Sequence, residues 1–379
     1  MDEAAATRAG SALTDLVHEG VSVWLDGVTR RSLADGALAR LVAESRVTGA
    51  VLPLRELGRE VREGTAYRAQ LEALGGRGVG AEVALRALHR HDVRRACDVF
   101  AAQFVSTRAE DGWVCAELDP RTADDARGSL AEARALAAAV DRPNLLITVP
   151  GTAAGLEVVS GCLAEGIGVN ISHLYSPRRY EDAADASFEG LERALAAGRP
   201  MAPGSVASFG AARMEAALGE GSAPALARVV YHLYEERLGT SGWRRLRKAG
   251  ARPQRLLWPE DDAAADRTER DRTERDRTER DRTERDRTAA VHRVEDLVAW
   301  NTVRTMSLRT LDAVARQARL RGDTLSGEPL VTAAQGYLTG LRIKGAGVEE
   351  VAGEVAVTAL REQAEDRAAL VNSLQERPR

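Results

Sequence analysis

The sequence predicts a closed (β/α)8 barrel followed by additional C-terminal helices. Eight short β-type runs alternate with longer Ala/Leu/Arg-rich stretches between Val21 and Met306. Several of the runs are apolar almost throughout, as strands covered on both faces are. The stretches between them repeat their apolar residues at helical spacing. Eight strands in regular alternation with helices favour the closed barrel. A doubly wound open sheet is the alternative, but no G-x-G-x-x-G follows a strand.

In chain order the expected strands are Val21–Leu25, Val47–Val51, Trp113–Leu118, Asn144–Val149, Gly168–Ile171, Ser205–Phe209, Arg255–Trp258 and Thr302–Met306. Helices are expected over Ala123–Val140 and over Pro224–Leu238, where Leu226, Val229, Val230 and Leu233 share one face. From Leu308 to Leu374 the pattern gives a last barrel helix and covering helices, so residues 1–379 read as one barrel domain. One segment interrupts it. From Asp266 the word DRTER is repeated four times to Arg285, and DRT follows at Asp286–Thr288. A five-residue period spreads charge around a helix and leaves no apolar face to bury. A solvated loop or frayed helix over 262–290 is expected, with a charged partner-binding arm as the other reading. The insert follows the seventh strand, where a barrel carries an active-site loop.

Composition narrows the function classes. The 379 residues carry 53 Lys+Arg against 57 Asp+Glu, a formal net charge of -4 that gives no reason to expect a nucleic-acid partner. The apolar fraction of 44% excludes wholesale disorder. Cys97, Cys115 and Cys162 show no C-x-x-C spacing, so neither a disulfide framework nor a zinc site is expected, and each reads first as a small buried hydrophobe. Met1–Gly10 has no basic-then-apolar signal pattern and no run reaches the ~18 apolar residues of a membrane helix, so a soluble cytoplasmic protein with no membrane partner is expected. Lysine is scarce: Lys248 and Lys344 are the two in the chain.

Barrel active sites use side chains at the C-terminal ends of strands. Those ends supply Asp26, Glu117, Thr148, Asn170 and Ser172, with Arg213 after the sixth strand. Two carboxylates, hydroxyls and an arginine suit an acid/base pocket with a phosphate clamp. Plainer roles are a helix cap or loop salt bridge for Asp26 and a surface ion pair for Glu117.

Seven segments in order resemble the transaldolase family, in its bacterial branch with an extended C-terminus. They are GVSVWLDGVTR (Gly20–Arg30), DVRRACDVF (Asp92–Phe100), DGWVCAELDPR (Asp111–Arg121), VDRPNLLITVPGT (Val140–Thr152), GIGVNISHLYSPRRY (Gly166–Tyr180), SVASFGAAR (Ser205–Arg213) and GARPQRLLW (Gly250–Trp258). The resemblance implies a (β/α)8 barrel of the pentose phosphate pathway that transfers a dihydroxyacetone unit from sedoheptulose 7-phosphate to glyceraldehyde 3-phosphate. It implies a lysine that forms a Schiff base with the ketose, whose iminium accepts the electrons of the breaking C–C bond. No cofactor and no metal is implied. Carried over by motif, Asp26 takes the place of the strand-1 proton-handling Asp and Glu117 that of the strand-3 Glu. Asn170 matches the hydroxyl-binding Asn, Ser172 stands where a Thr holds a water, and Ser208 and Arg213 match the substrate-binding Ser and Arg.

Four departures stand out. The Schiff-base lysine falls on Thr148. The strand-2 T-S-N-P is replaced by Gly49-Ala50-Val51-Leu52-Pro53, so its Asn is lost. After strand 7 a family lysine gives way to Pro259-Glu260-Asp261-Asp262 and the repeat, and in strand 8 Asn and Pro become Arg304 and Ser307. A threonine hydroxyl adds to a carbonyl only to give a hemiketal, which offers no cationic nitrogen as an electron sink. Lys248 is expected at the opposite end of the barrel and Lys344 in the C-terminal helical region. His173, one residue past Ser172 on a strand, is expected to face away from it. The expectation is therefore a degenerate transaldolase homologue that lacks Schiff-base activity and binds a sugar phosphate weakly or not at all. The alternatives are an aldol-type enzyme working without lysine, and a non-catalytic partner that self-associates or pairs with an active transaldolase.

Overall fold

The structure, a computed structural model, describes residues 12–44, 46–63, 65–201, 203–260, 287–343 and 345–376. Eight parallel strands close into the expected barrel: β1 Val21–Asp26, β2 Gly49–Leu52, β3 Trp113–Glu117, β4 Leu145–Pro150, β5 Gly168–Leu174, β6 Ser205–Phe209, β7 Arg255–Trp258 and β8 Thr302–Met306, with β8 paired back to β1. All eight expected strands are present and three are displaced in ways that have a cause. The second begins at Gly49 rather than Val47, because Thr48 is already spent on Val23: its amide and hydroxyl both donate to that carbonyl. The fourth begins at Leu145, because the Asn144 side chain turns in to donate to the Cys97 and Gly112 carbonyls. The fifth runs on to Leu174 past a break in its register with β6. The helix expected from Ala123 begins at Ala126, where the Asp125 carboxylate accepts the Gly128 amide at 2.9 Å. The repeat Asp266–Arg285 lies outside the described residues.

Alternation along the strands sorts the side chains into two cores. One face packs outward beneath the helices, with Val23, Leu25, Ile147, Val149, Val169, Ile171, Phe209 and Trp258 in a large continuous cluster. The other fills the barrel with Trp24, Trp113, Cys115, Leu146, Val206, Leu257 and Val303. Two indoles on a small barrel need room, and glycine supplies it: a Cβ on Gly49 would lie 2.6 Å from the Trp24 ring, and one on Gly204 would lie 2.6 Å from Trp113. Below the indoles Arg255 closes the N-terminal end. Its buried guanidinium donates to Ser22 Oγ and the Thr302 carbonyl, each at 2.7 Å, and Ser22 in turn donates to Asp111 at 2.5 Å. The bottom of the barrel is thus filled by side chains, and the polar strand ends lie at the other end.

After the barrel come Leu308–Gln317, Glu328–Gly340 and the 28-residue helix Val348–Gln375. That last helix packs against the helices Leu54–Glu63, Ala81–Ser106 and Ala211–Leu218, and so crosses the C-terminal mouth of the barrel. Arg367, 4% exposed, anchors it by pairing with Glu82 at 2.5 Å and Asp119 at 2.9 Å. Among the described residues no helix is long and apolar enough to cross a membrane.

Candidate active site

The mouth is built from the last inward-facing residue of each strand and from the turns that follow. Glu117, Thr148 and Asn170 stand in register on adjacent strands β3, β4 and β5. Thr148 and Asn170 are buried, and a hydrogen-bond chain joins them: Ser208 Oγ donates to Asn170 Oδ1 at 2.7 Å, and Asn170 Nδ2 donates to Thr148 Oγ1 at 3.2 Å. Both ends of the Asn170 amide are thereby used, which fixes its orientation and directs the Thr148 hydroxyl oxygen toward Asn170.

Asp26 and Glu117 are brought together by a third party, the start of the helix Leu54–Glu63. Arg55 Nη2 lies 3.2 Å from Asp26 Oδ2, and the Leu54 amide donates to Glu117 Oε2 at 3.0 Å. Of the roles open to Asp26, the structure places it in a salt bridge. Burial holds the Glu117 carboxyl above its usual range, against the Leu54 amide, the Arg55 charge and a hydrogen bond from Gln363, with the charge of Asp366 pushing the same way as burial. Gln363 and Asp366 both belong to the helix over the mouth.

Ser172 and His173 differ from expectation. His173 has φ 59°, in the left-handed region, at the point where β5 loses register with β6. Strand alternation fails there, so the ring turns back toward its neighbour: Ser172 Oγ lies 2.9 Å from His173 Nδ1. Burial first, then the positive charge of Arg213, pushes the imidazole down to about 4. At neutral pH it is uncharged, so no cation is added beside Arg213. Arg213 itself is in the first turn of Ala211–Leu218 and is paired with Glu362 of the C-terminal helix.

The remaining sequence candidates fall elsewhere. Glu260 does not face the mouth as a free acid: its carboxylate accepts the Ser307 amide, the Ser307 hydroxyl and the Thr310 hydroxyl, and its own amide donates to Thr305 Oγ1 at 2.8 Å. It serves as a brace between β7 and the helix after β8. Asp261, Asp262 and Lys344 lie outside the described residues. Lys248 is the exposed last residue of Ser241–Lys248, ahead of β7 and so at the closed end. The three cysteines are buried thiols, with burial pushing Cys97 and Cys162 up to about 12 and Cys115 well above its usual value. Sequence reasoning missed Arg55, Glu362 and Gln363. The position of Arg55, two residues past Pro53 in the altered strand-2 turn, is a usable signal. Glu362 and Gln363 have none, because Arg213 and Glu362 are separated by 149 positions in the chain.

A family model described as Transaldolase/Fructose-6-phosphate aldolase matches residues 23–374, nearly the whole chain. The chain belongs to the transaldolase/fructose-6-phosphate aldolase family. It is 39% identical over 330 residues to a transaldolase of Acidothermus cellulolyticus, covering 83% of each chain. It is 37% identical over 358 residues to a transaldolase of Thermobifida fusca, covering 90% of this chain and 91% of that one. A transaldolase of Mycolicibacterium smegmatis is 35% identical over 353 residues, 89% of each. In this transaldolase-family barrel the mouth keeps a carboxylate on β1 and on β3, an amide on β5 and hydroxyls on β4, β5 and β6. Among its described strand ends it carries no amine.

Proposed function

We propose that this protein is a transaldolase-family barrel that has given up Schiff-base chemistry while keeping the polar mouth of a carbohydrate site. The observation that carries the reading is Thr148. It faces the barrel interior on β4 between Glu117 and Asn170, at the position where the motif N-L-x-I-K-I-P has its lysine, and its hydroxyl accepts from Asn170. Cleaving a ketose C–C bond leaves an electron pair that an iminium nitrogen accepts and a threonine oxygen does not. Two further members of the machinery are engaged elsewhere, Asp26 with Arg55 and Arg213 with Glu362. Asp26, Glu117, Ser172 and Thr148 are the residues assigned to the former reaction centre, and Asn170, Ser208 and Arg213 to the sugar-phosphate contacts. The setting that goes with this reading is cytoplasmic, with no cofactor, metal or nucleic acid required.

The test is a coupled transaldolase assay, with fructose 6-phosphate as donor and erythrose 4-phosphate as acceptor, on the wild type beside Thr148→Lys. Borohydride trapping and intact mass run in parallel. The wild type is expected to show neither turnover nor adduct. Turnover in the wild type would overturn the reading. It would favour the second one, an aldol-type enzyme working without lysine, for which the retention of Asp26, Glu117, Asn170 and Ser172 at one mouth speaks.

A further inference from the structure

Arg213 is the cation best placed at the mouth to receive an anion. It stands in the first turn of a helix entered directly from β6, where the positive end of the helix adds to its charge. Its side chain is 22% exposed, shielded enough that a partner counts. The partner present is Glu362, which lies on the long helix crossing the mouth. That helix is docked by other contacts as well. Gln363 reaches Glu117, and about one turn further on Arg367 is held between Glu82 and Asp119. Glu362 and Asp366 are four residues apart and so share a face, which presents two carboxylates toward the mouth. A phosphate brought to Arg213 would have to displace one carboxylate and lie near a second.

We propose that Glu362 is an internal occupant of the Arg213 anion seat, and that it keeps phosphorylated ligands out of the barrel mouth while the C-terminal helix is docked. The proposal rests on the reading of the mouth as a former sugar-phosphate site, but its measurement is equilibrium binding rather than turnover. Wild-type turnover would sink that reading, and unchanged affinity in the variant would sink this one. The contact is local and the Glu362 side chain is 52% exposed, so the carboxylate can be removed without opening the core. The consequence is a ligand preference. Wild type discriminates against the dianion, whereas the uncharged Thr148, Asn170 and Ser208 give no such discrimination against neutral polyols.

The test uses the full chain and isothermal titration with fructose 6-phosphate, inorganic phosphate and, as the uncharged control, fructose. Glu362→Gln is expected to bind fructose 6-phosphate at least ~10-fold more tightly than wild type, with inorganic phosphate following and fructose unchanged. Glu362→Ala should behave alike and guards against an effect peculiar to the amide, while Glu362→Asp, which keeps the charge, should gain little. Adding Arg213→Ala to Glu362→Gln should abolish the gain. An affinity of Glu362→Gln and Glu362→Ala within about twofold of wild type overturns the proposal. A gain that survives the loss of Arg213 overturns it equally. Circular dichroism melts confirm that the compared variants are folded.

Discussion

Asn170 donates through Nδ2 to Thr148 Oγ1 at 3.2 Å, across the paired strands β5 and β4. The bond puts a neutral acceptor where the family resemblance puts an amine. It also ties that acceptor to Ser208, which donates to the other end of the same amide. A hydroxyl oxygen accepts from an amide without desolvating a charge, so the mouth tolerates burial that a lysine would resist.

Replacing Thr148 with Lys should restore an amine beside Asn170 and Glu117. With fructose 6-phosphate and borohydride, intact mass should then show one covalent adduct that maps to position 148. The longer side chain enters a site that is only 6% exposed and should cost about 2 kcal/mol of stability, read as a lower urea midpoint. Absence of any adduct in a folded variant would mean that more than the amine has been lost from this mouth.

Arg367→Ala should loosen the helix over the mouth. The guanidinium is 4% exposed and serves two carboxylates, so its removal leaves Glu82 and Asp119 to Arg121 alone. Because the partners are partly solvated, a loss of about 2 kcal/mol is expected, toward the lower end for a buried pair. Hydrogen exchange should quicken along Val348–Gln375 while β3 and β4 keep their protection. Uniform exchange across the chain would contradict an anchoring role.

The same anchor has a pH signature. The Arg367 hydrogen bond, against some burial, holds the Glu82 carboxyl below its usual range. Burial pushes Asp119 up, but the Arg121 hydrogen bonds and the Arg367 charge win and lower it. A depressed folded pKa contributes stability that is present above the unfolded value and lost as pH falls through the folded one. The difference in Tm between wild type and Arg367→Ala should therefore be constant above about pH 5 and shrink below about pH 4. A difference that grows with acid would reverse the sign and exclude the pairing.

His173 is likewise held below its ordinary value. Burial, with Arg213 adding, pushes it down to about 4, so the folded protein refuses a proton that the unfolded chain accepts near pH 6.5. Stability from this group is complete above about pH 6.5 and is lost as pH falls toward 4. The His173 ring resonances should stay in their neutral positions down to pH 5, and His173→Gln should flatten this part of the stability profile. A ring that titrates at its ordinary value would show that it is open to solvent.

Gly49→Ala should be disproportionately costly for one methyl group. The added Cβ would lie 2.6 Å from the Trp24 ring, which has no exposed surface and no space to retreat into. A loss of about 2 kcal/mol in a denaturant melt is expected, against little change for Gly242→Ala in the helix Ser241–Lys248, where no atom lies within 4 Å of the added Cβ.

Much of this was readable along the chain. The apolar runs located all eight strands because a strand covered on both faces must be apolar on both. Helix starts were less legible: Asp125, Thr152, Ser176, Thr240 and Ser307 each accept an amide of their helix, and periodicity alone does not place such caps, which is why the helix expected from Ala123 begins at Ala126. His173 was misjudged because alternation assumes an unbroken ladder, and a left-handed residue at a register break removes that assumption.

By itself the sequence determined the barrel, the family and the identity of the groups at the mouth, above all a threonine on β4. These follow from local periodicity and from motifs that are contiguous in the chain. Only the tertiary structure decided which of those groups have partners. Asp26 meets Arg55 across 29 positions, Glu117 meets the Leu54 amide across 63, and Arg213 meets Glu362 across 149. Charge pairing depends on distance in space, falling off within a few ångströms, and no pattern along the chain encodes that distance.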